Sequence, residues 1–287
     1  MKRPSSNEIW YTTSDNEKII INDYVLEQCE YKLVSNTYKD GLGILTFEDS
    51  ISSIELELLC AEHKLTSIHI PDSVTSIETS AFGACTSLTE FKGKYASEDG
   101  RCLVENDYLI SFAPAGLTEY AIPNYIRTIG DNAFNDCKNL TNITIPQSVK
   151  IIGEGAFAGC SKLTNIIIPD NIISIGDTAF ANCSSLTNID IPNGIIMLGR
   201  GTFFDCSSLV SITIPSSMTL IARNVFEGCS SLTEIYCKPS IPPKLFNFNS
   251  ENISELKIYV PAQSVEAYKS NQYWSKYANN IIGYNFE

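Results

Sequence analysis

Leu140 to Lys162 reads LTNITIPQSVKIIGEGAFAGCSK, and the stretch that follows it, Leu163 to Ser185, reads LTNIIIPDNIISIGDTAFANCSS. A third copy, LTNIDIPNGIIMLGRGTFFDCSS, follows from Leu186 and sets a 23-residue period. Self-similarity at a fixed period of this size is the signature of a stacked-repeat architecture. Further units begin at Leu65, Leu88, Leu117, Leu209 and Leu232, at the same spacing except for one longer, 29-residue step between Leu88 and Leu117. Phe82, Phe134, Phe157, Phe180, Phe203 and Phe226 mark one position of the repeat. A worn copy starts at Leu42, where Leu45, Phe47, Ile51, Ile54, Leu58 and Leu59 keep the apolar spacing while Glu48 replaces a proline.

Within the first unit Leu140, Ile143 and Ile145 are apolar and Asn142 and Thr144 polar, an alternation that predicts a half-buried strand. Pro146 ends it, because proline donates no amide hydrogen to a ladder and fixes its own φ. The same proline recurs as Pro71, Pro123, Pro169, Pro192 and Pro215. Val149 and Ile152 follow, then Gly153, expected to adopt a backbone angle that a β-carbon forbids. Ala156, Phe157 and Cys160 are spaced like one helical turn. Each coil therefore reads as strand, corner, short extended run, corner, helical turn. One coil cannot bury its apolar side alone, so stability must come from stacking.

A stack of strands exposes apolar edges at both ends unless these are capped. Residues 1–41 are expected to form an N-terminal β cap, with short strands in Ile9 to Asp23 around an SDNE turn and in Tyr31 to Gly41. Residues 42–255 form the repeat body, read as one elongated domain with an irregular 29-residue unit at 88–116. Residues 256–287 form the last cap: a strand at Ile258 to Val260 before Pro261, then a helix from Ser264 to Ile281 whose Tyr268 and Trp274 cover the final coil. In the irregular unit, EDG (Glu98 to Gly100) and END (Glu105 to Asp107) are turn signals that predict a protruding hairpin.

Of the 287 residues 44% are apolar, and the formal net charge is −13. With no cluster of Lys and Arg, a nucleic-acid partner is excluded, since that affinity rests on grouped basic side chains. Acidic residues gather near the worn coil (Glu48, Asp49, Glu55, Glu57, Glu62) and read as a solvated face. No apolar run is long enough to span a bilayer, and MKRPSSNEIW at the start has no apolar stretch behind its basic residues, so no export signal is expected in the chain as given. Six of ten cysteines, Cys85, Cys137, Cys160, Cys183, Cys206 and Cys229, fall three residues after the marker phenylalanine. Such a column reads as buried free thiols behaving as small hydrophobes. With no CxxC pair and only His63 and His69, no metal or cofactor is expected.

No catalytic residues are expected: GxSxG and the phosphate-cradling GxxxxGK[ST] are both missing. Residues recurring in every coil are better explained by the coil. His69 near Glu90 in the next coil is the nearest approach to an acid–base pair. Asn139-Leu-Thr, Asn142-Ile-Thr, Asn182-Cys-Ser and Asn252-Ile-Ser match glycosylation acceptors, a cheap match in an Asn- and Thr-rich repeat.

Parallel strands in register present outward residues as files, which give solenoids their extended binding surfaces. One file runs Ser67, Glu90, Glu119, Asn142, Asn165, Asn188, Ser211, Glu234 and the other His69, Lys92, Ala121, Thr144, Ile167, Asp190, Thr213, Tyr236. The expected ligand face comprises Asn142, Asn165, Asn188, Thr144, Ile167, Asp190, Thr213 and Tyr236. Two readings of the asparagines stand side by side: a self-bonded structural ladder, or part of a polar and apolar strip suited to a broad protein or glycan contact.

The unit LTxIxIPxxVxxIGxxAFxxC, as in Leu140 to Cys160, resembles the bacterial surface-antigen type of leucine-rich repeat, the BspA-like family. The resemblance spans Leu42 to Tyr236, and IYVPAQSVEAYKSNQYW resembles that family's C-terminal cap. It implies a right-handed, non-catalytic solenoid, often displayed on bacterial surfaces or secreted, where members bind host matrix proteins or mediate adhesion. The chain is accordingly expected to be a binding module acting through its sheet face, the cytoplasm being the alternative compartment. The rival reading is an assembly scaffold acting through its caps and hairpin. Neither names a partner or an oligomeric state.

Overall fold

A computed structural model describes residues 3–21, 23–54, 58–246 and 254–286. Glu55, Glu57 and Asn252, singled out above, lie outside the described residues. The chain divides into two compact units, Met1–Leu117 with Gly130–Cys137, and Thr118–Ile129 with Lys138–Glu287.

In the first unit Leu65–His69 and Glu90–Lys92 pair in parallel, with Ser67 opposite Glu90 and His69 opposite Lys92. The worn coil is split between two roles. Its second strand, Ser53–Ile54, pairs in parallel with Ser76–Ile77, one coil on. Its first, Leu42–Phe47, instead runs antiparallel to both Glu8–Thr13 and Leu33–Lys39. Glu8–Thr13 takes the place beside Leu65–His69, also antiparallel. Asp40 and Gly41, both at positive φ, make the turn into Leu42 that this hairpin needs. The expected strand continuing past the SDNE turn is not formed, and a short helix, Asp23–Gln28, follows instead.

The irregular segment does form a hairpin at END: Cys102–Glu105 and Tyr108–Phe112 pair antiparallel around Asn106, whose φ is 57°. It does not protrude. Cys102, Leu103, Leu109, Ile110 and Phe112 are buried, and the Phe112 ring lies 4.7 Å from that of Phe134. Its β-branched and aromatic side chains are too apolar to leave in water, so the hairpin packs inward.

In the second unit the coil-to-coil register holds through three sets of contacts. The sheet side pairs Glu119–Ala121 with Asn142–Thr144, and Ser211–Ile214, Glu234–Cys237, Lys257–Pro261 and Ile281–Tyr284 in succession, all parallel. Short second strands pair Thr128–Ile129, Ile151–Ile152 and Ser174–Ile175, and likewise Met197–Leu198, Leu220–Ile221 and Lys244–Leu245. Each proline turns the chain between these strands, its carbonyl accepting the amide of the residue three on, as from Val149 to Pro146 and from Ile172 to Pro169.

The third set corrects the expected helical turn. The amides of Gly155, Phe157 and Gly159 donate to the carbonyls of Asp177, Ala179 and Ala181 one coil on, and those of Thr178, Phe180 and Asn182 to Arg200, Thr202 and Phe204. These groups bond across coils rather than along the chain, so no α-helix forms although Phe and Cys keep their spacing. Two residues of each such turn, four apart, are left-handed. Asn132, Gly155, Thr178, Gly201 and Asn224 share one positive-φ position of the repeat, and Asp136, Gly159, Asn182, Asp205 and Gly228 another. Their Asn, Asp and Gly bias was the overlooked signal.

Gly153 and its equivalents serve a different purpose from the one expected, since none has positive φ. A β-carbon on Gly176 would lie 2.5 Å from the Glu154 amide nitrogen of the coil before. Close coil-to-coil approach selects glycine there.

The core is built of the repeated inward set. Phe134, Phe157, Phe180, Phe203 and Phe226 are all fully buried, and from Phe157 to Phe226 the rings stack 5.5 to 6.1 Å apart. The cysteine column lies buried beside them as free thiols. The Cys183, Cys206 and Cys229 thiols donate to the carbonyls of Phe157, Phe180 and Phe203, at 3.1 to 3.3 Å.

The C-terminal cap begins with the expected strand, but its helix is shorter than expected. Val265–Ser270 is α-helical, Ser275–Asn280 is 3₁₀, and the chain breaks at Asn271, which is extended. Ser264 stands at the N-cap position without a side-chain capping bond; its hydroxyl donates to the Ser240 carbonyl. Tyr268 and Trp274 are fully buried, donating to the Pro239 and Pro243 carbonyls and meeting edge to face at 5.1 Å. The chain then returns to the sheet as an unforeseen strand, Ile281–Tyr284.

Candidate functional site

On the sheet side of the second unit every residue of the expected ligand face points outward. Asn142, Thr144, Asn165, Ile167, Asn188 and Asp190 are exposed, Thr213 and Tyr236 half-buried. Their inward alternates, Ile143, Ile166, Ile189, Ile212 and Ile235, are buried, which is the period-two division that the pattern demanded. Thr144 lies opposite Ile167 and Asp190 opposite Thr213. Ile167 is 76% exposed, a large apolar side chain held in water among polar neighbours.

The pairing is uneven along this face. Around Asn165 and Asn188 the strands are reduced to isolated bridges, and the amides of Thr164 and Thr187 reach the preceding coil at 3.5 and 3.4 Å. Among the described residues no hydrogen bond joins the carboxamides of Asn142, Asn165 and Asn188 to one another. Their amide groups are left to solvent.

Further along, the second file becomes aromatic. Tyr259 follows Tyr236 in register, and their rings stack 4.8 Å apart at 14°. Tyr284, delivered by the unforeseen last strand, meets both edge-on at 5.8 and 5.6 Å, and Phe286 meets Tyr284 at 5.0 Å. The Tyr236 and Tyr259 hydroxyls both donate to the Glu234 carboxylate, at 2.9 and 3.4 Å. The hydrogen bond to Glu234, with its negative charge, pushes the Tyr236 phenol up to about 12, so that ring stays neutral. A cleft of about 420 Å³ opens here, lined by Thr213, Tyr236, Lys238, Tyr284, Asn285 and Phe286. The sequence reading reached Thr213 and Tyr236 but missed Lys238, Tyr259, Tyr284 and Phe286. Tyr259 falls one repeat after Tyr236 and was within reach of the period; Tyr284 and Phe286 lie beyond the last repeat.

The nearest approach to an acid–base pair dissolves in the first unit. His69 lies opposite Lys92, not Glu90, and its ring meets Trp10 edge-on at 6.2 Å. Burial, then the charges of Lys92 and Arg3, lower its pKa. Glu90 is engaged by Lys92 at 2.7 Å.

Among the described residues no helix is long and apolar enough to cross a membrane. The profile of the "BspA type Leucine rich repeat region" matches residues 6–98, 110–233 and 150–275, in six copies. The chain is similar to a leucine rich cell surface protein from Faecalibacterium prausnitzii A2-165: 35% identity over 60% of this chain and 48% of that one, with a TM-score of 0.54. It shares its fold with a leucine-rich repeat protein from Eubacterium ventriosum (23% identity, 76% and 59% covered, TM-score 0.53) and with the pneumococcal vaccine antigen PcpA (18%, 77% and 56%, TM-score 0.56). The chain thus spans about half the length of each of these proteins. Comparison with curated proteins finds no match. Parallel coils at a 23-residue period, their buried Phe and Cys columns and the matching profile make this chain a member of the BspA-type leucine-rich repeat family.

Proposed function

We propose that the chain is a non-catalytic binding module whose outward sheet face, from Asn142 to Tyr236, recognises a protein or glycan. The carrying observation is the row of unengaged side chains, amides of Asn142, Asn165 and Asn188 beside exposed Ile167, presented on strands whose other faces are sealed in the core. A broad, shallow strip of modest chemistry suits an extended contact better than a deep small-molecule pocket. The Faecalibacterium relative is named as a cell surface protein, and display at a cell surface, with a role in adhesion, fits this reading. The rival scaffold reading relies on the caps and on the hairpin, and the hairpin, with Leu103 and Leu109 buried, has little apolar surface to offer.

The test is capture of the purified chain by immobilised matrix proteins and by glycans. Replacing Asn142, Asn165 and Asn188 together by Ser is expected to weaken capture at least tenfold while the melting temperature stays within a few degrees of the parent. Capture unchanged by the triple substitution takes the contact away from this face.

A further inference from the structure

We infer that the aromatic cleft at the end of the second file is a sugar-binding subsite, built to stack one pyranose ring of a glycan on the free face of Tyr236. The inference rests on the binding-module reading and names the ligand class for one part of its face.

Register sets the geometry. Thr213, Tyr236 and Tyr259 occupy successive places in one file. Tyr259 covers one face of Tyr236 by stacking; on the opposite side stands Thr213, too short to cover a phenol ring. Tyr284 closes the edge of the pair, and the cleft of about 420 Å³ lies against the uncovered side. This size is within the range of small-ligand pockets and suits a monosaccharide unit with its attached chain leaving into solvent. The next flat ring in the stack is therefore supplied from outside.

The rim decides which ring. A hydrophobic anchor from a protein partner favours a dry, fully desolvated pocket. This cleft is bordered by the Thr213 hydroxyl, the Lys238 ammonium and the Asn285 carboxamide, with Lys238 and Asn285 exposed. A pyranose matches both demands: its axial C–H bonds lie on an aromatic face while its equatorial hydroxyls reach polar groups around the ring. Glu234 holds the Tyr236 hydroxyl, so the ring is fixed and its π face is what it presents.

The experiment incubates the fluorescently labelled full chain on a glycan microarray whose members end in hexose, N-acetylhexosamine, uronic acid or sialic acid. Dissociation constants for the glycans retained are then measured by titration. The parent is expected to retain a subset of the glycans, and Tyr236→Ala to lose at least tenfold in affinity for them. Because Tyr236→Ala also removes a stacking partner of Tyr259, Thr213→Tyr serves as the second variant. It adds a ring where the sugar would lie, removes no core contact, and is expected to abolish retention with unchanged circular dichroism. A blank array, or retention that survives Thr213→Tyr, overturns the subsite. If the array is blank while matrix proteins are still captured in an Asn-dependent way, the sugar assignment fails and the binding-module reading stands.

Discussion

The turn side of the second unit and its sheet side repeat with the same period, yet they are built to different tolerances. On the turn side, Phe157, Phe180, Phe203 and Phe226 stack at nearly constant spacing, three amides per coil bond to the next coil, and the Cys183, Cys206 and Cys229 thiols each find a carbonyl. On the sheet side, the strands thin to single bridges around Asn165 and Asn188 and recover only from Ser211 onward. The difference teaches that the spine of these coils is the phenylalanine and cysteine wall. The sheet face, relieved of part of that duty, is where side chains vary from Asn to Ile to Tyr. Rigid scaffold on one side and adaptable surface on the other is the usual division in proteins that bind.

The largest expected effect sets the two sides directly against each other. Phe180→Ala opens a cavity in a fully buried stack and is expected to cost about 3–5 kcal/mol in chemical denaturation. Asn165→Ser on the exposed strip is expected to change stability by less than about 0.5 kcal/mol. A loss under about 1 kcal/mol for Phe180→Ala, well short of a large core truncation, would remove the wall from its place as the spine.

Next in size is an alkaline effect on the cysteine column, through Cys85 in the first unit and Cys229 in the second. Burial raises the thiols of Cys85 and Cys229 from the ordinary value near 9 to about 12. Both are neutral acids when folded, so the folded state holds protons that the unfolded chain has already released. The stability they contribute is therefore complete below pH 9 and is lost as pH rises through the window from 9 to about 12. By pH 10 the loss is on the order of 1 kcal/mol per thiol. Melting followed between pH 8 and 11 is expected to fall more steeply in the parent than in Cys229→Ala; parallel curves would place that thiol in contact with water.

The smallest effect sharpens the comparison within the wall itself. Thr178 is β-branched and held at a φ of 51°, where its column neighbours are Gly155 and Gly201 and where Asn132 and Asn224 also occur. Asparagine tolerates the left-handed region better. Thr178→Asn is expected to raise stability by about 0.5–1 kcal/mol, seen as a higher denaturation midpoint at unchanged slope. A lower midpoint would mean that the threonine methyl's packing against the neighbouring coil outweighs its backbone strain.

Much of this was legible in single residues. The alternation of Leu140, Ile143 and Ile145 with Asn142 and Thr144 located the strand and its two faces. The marker phenylalanines and cysteines were placed inside, and Tyr268 and Trp274 over the end of the coils. The helical turn expected at Ala156 to Cys160 is not formed, because a spacing of three or four between buried residues is shared by a helix and by a turn with left-handed residues at two places four apart, here Gly155 and Gly159. The hairpin at Cys102 to Phe112 follows from its END turn, but turn residues do not say which way a hairpin packs; Leu103, Leu109 and Phe112 send it inward. Of the candidate site, the strip from Asn142 to Tyr236 followed from the period. The cleft did not, since half of it comes from Tyr284 to Phe286, after the repeat has ended.

Sequence alone decided which side chains leave water, because burial is a local property written once per repeat in the type of residue used. It therefore decided the coil, its period, its inward columns and its outward files. Tertiary structure decided where the backbone hydrogens go and which outward residues meet. An amide at Phe157 chooses between its own turn and Ala179 only once the next coil has stacked beside it, and Tyr284 closes on Tyr236 only after the chain has broken at Asn271 and returned to the sheet edge. Those choices depend on groups far apart along the chain, and no pattern within one repeat encodes them.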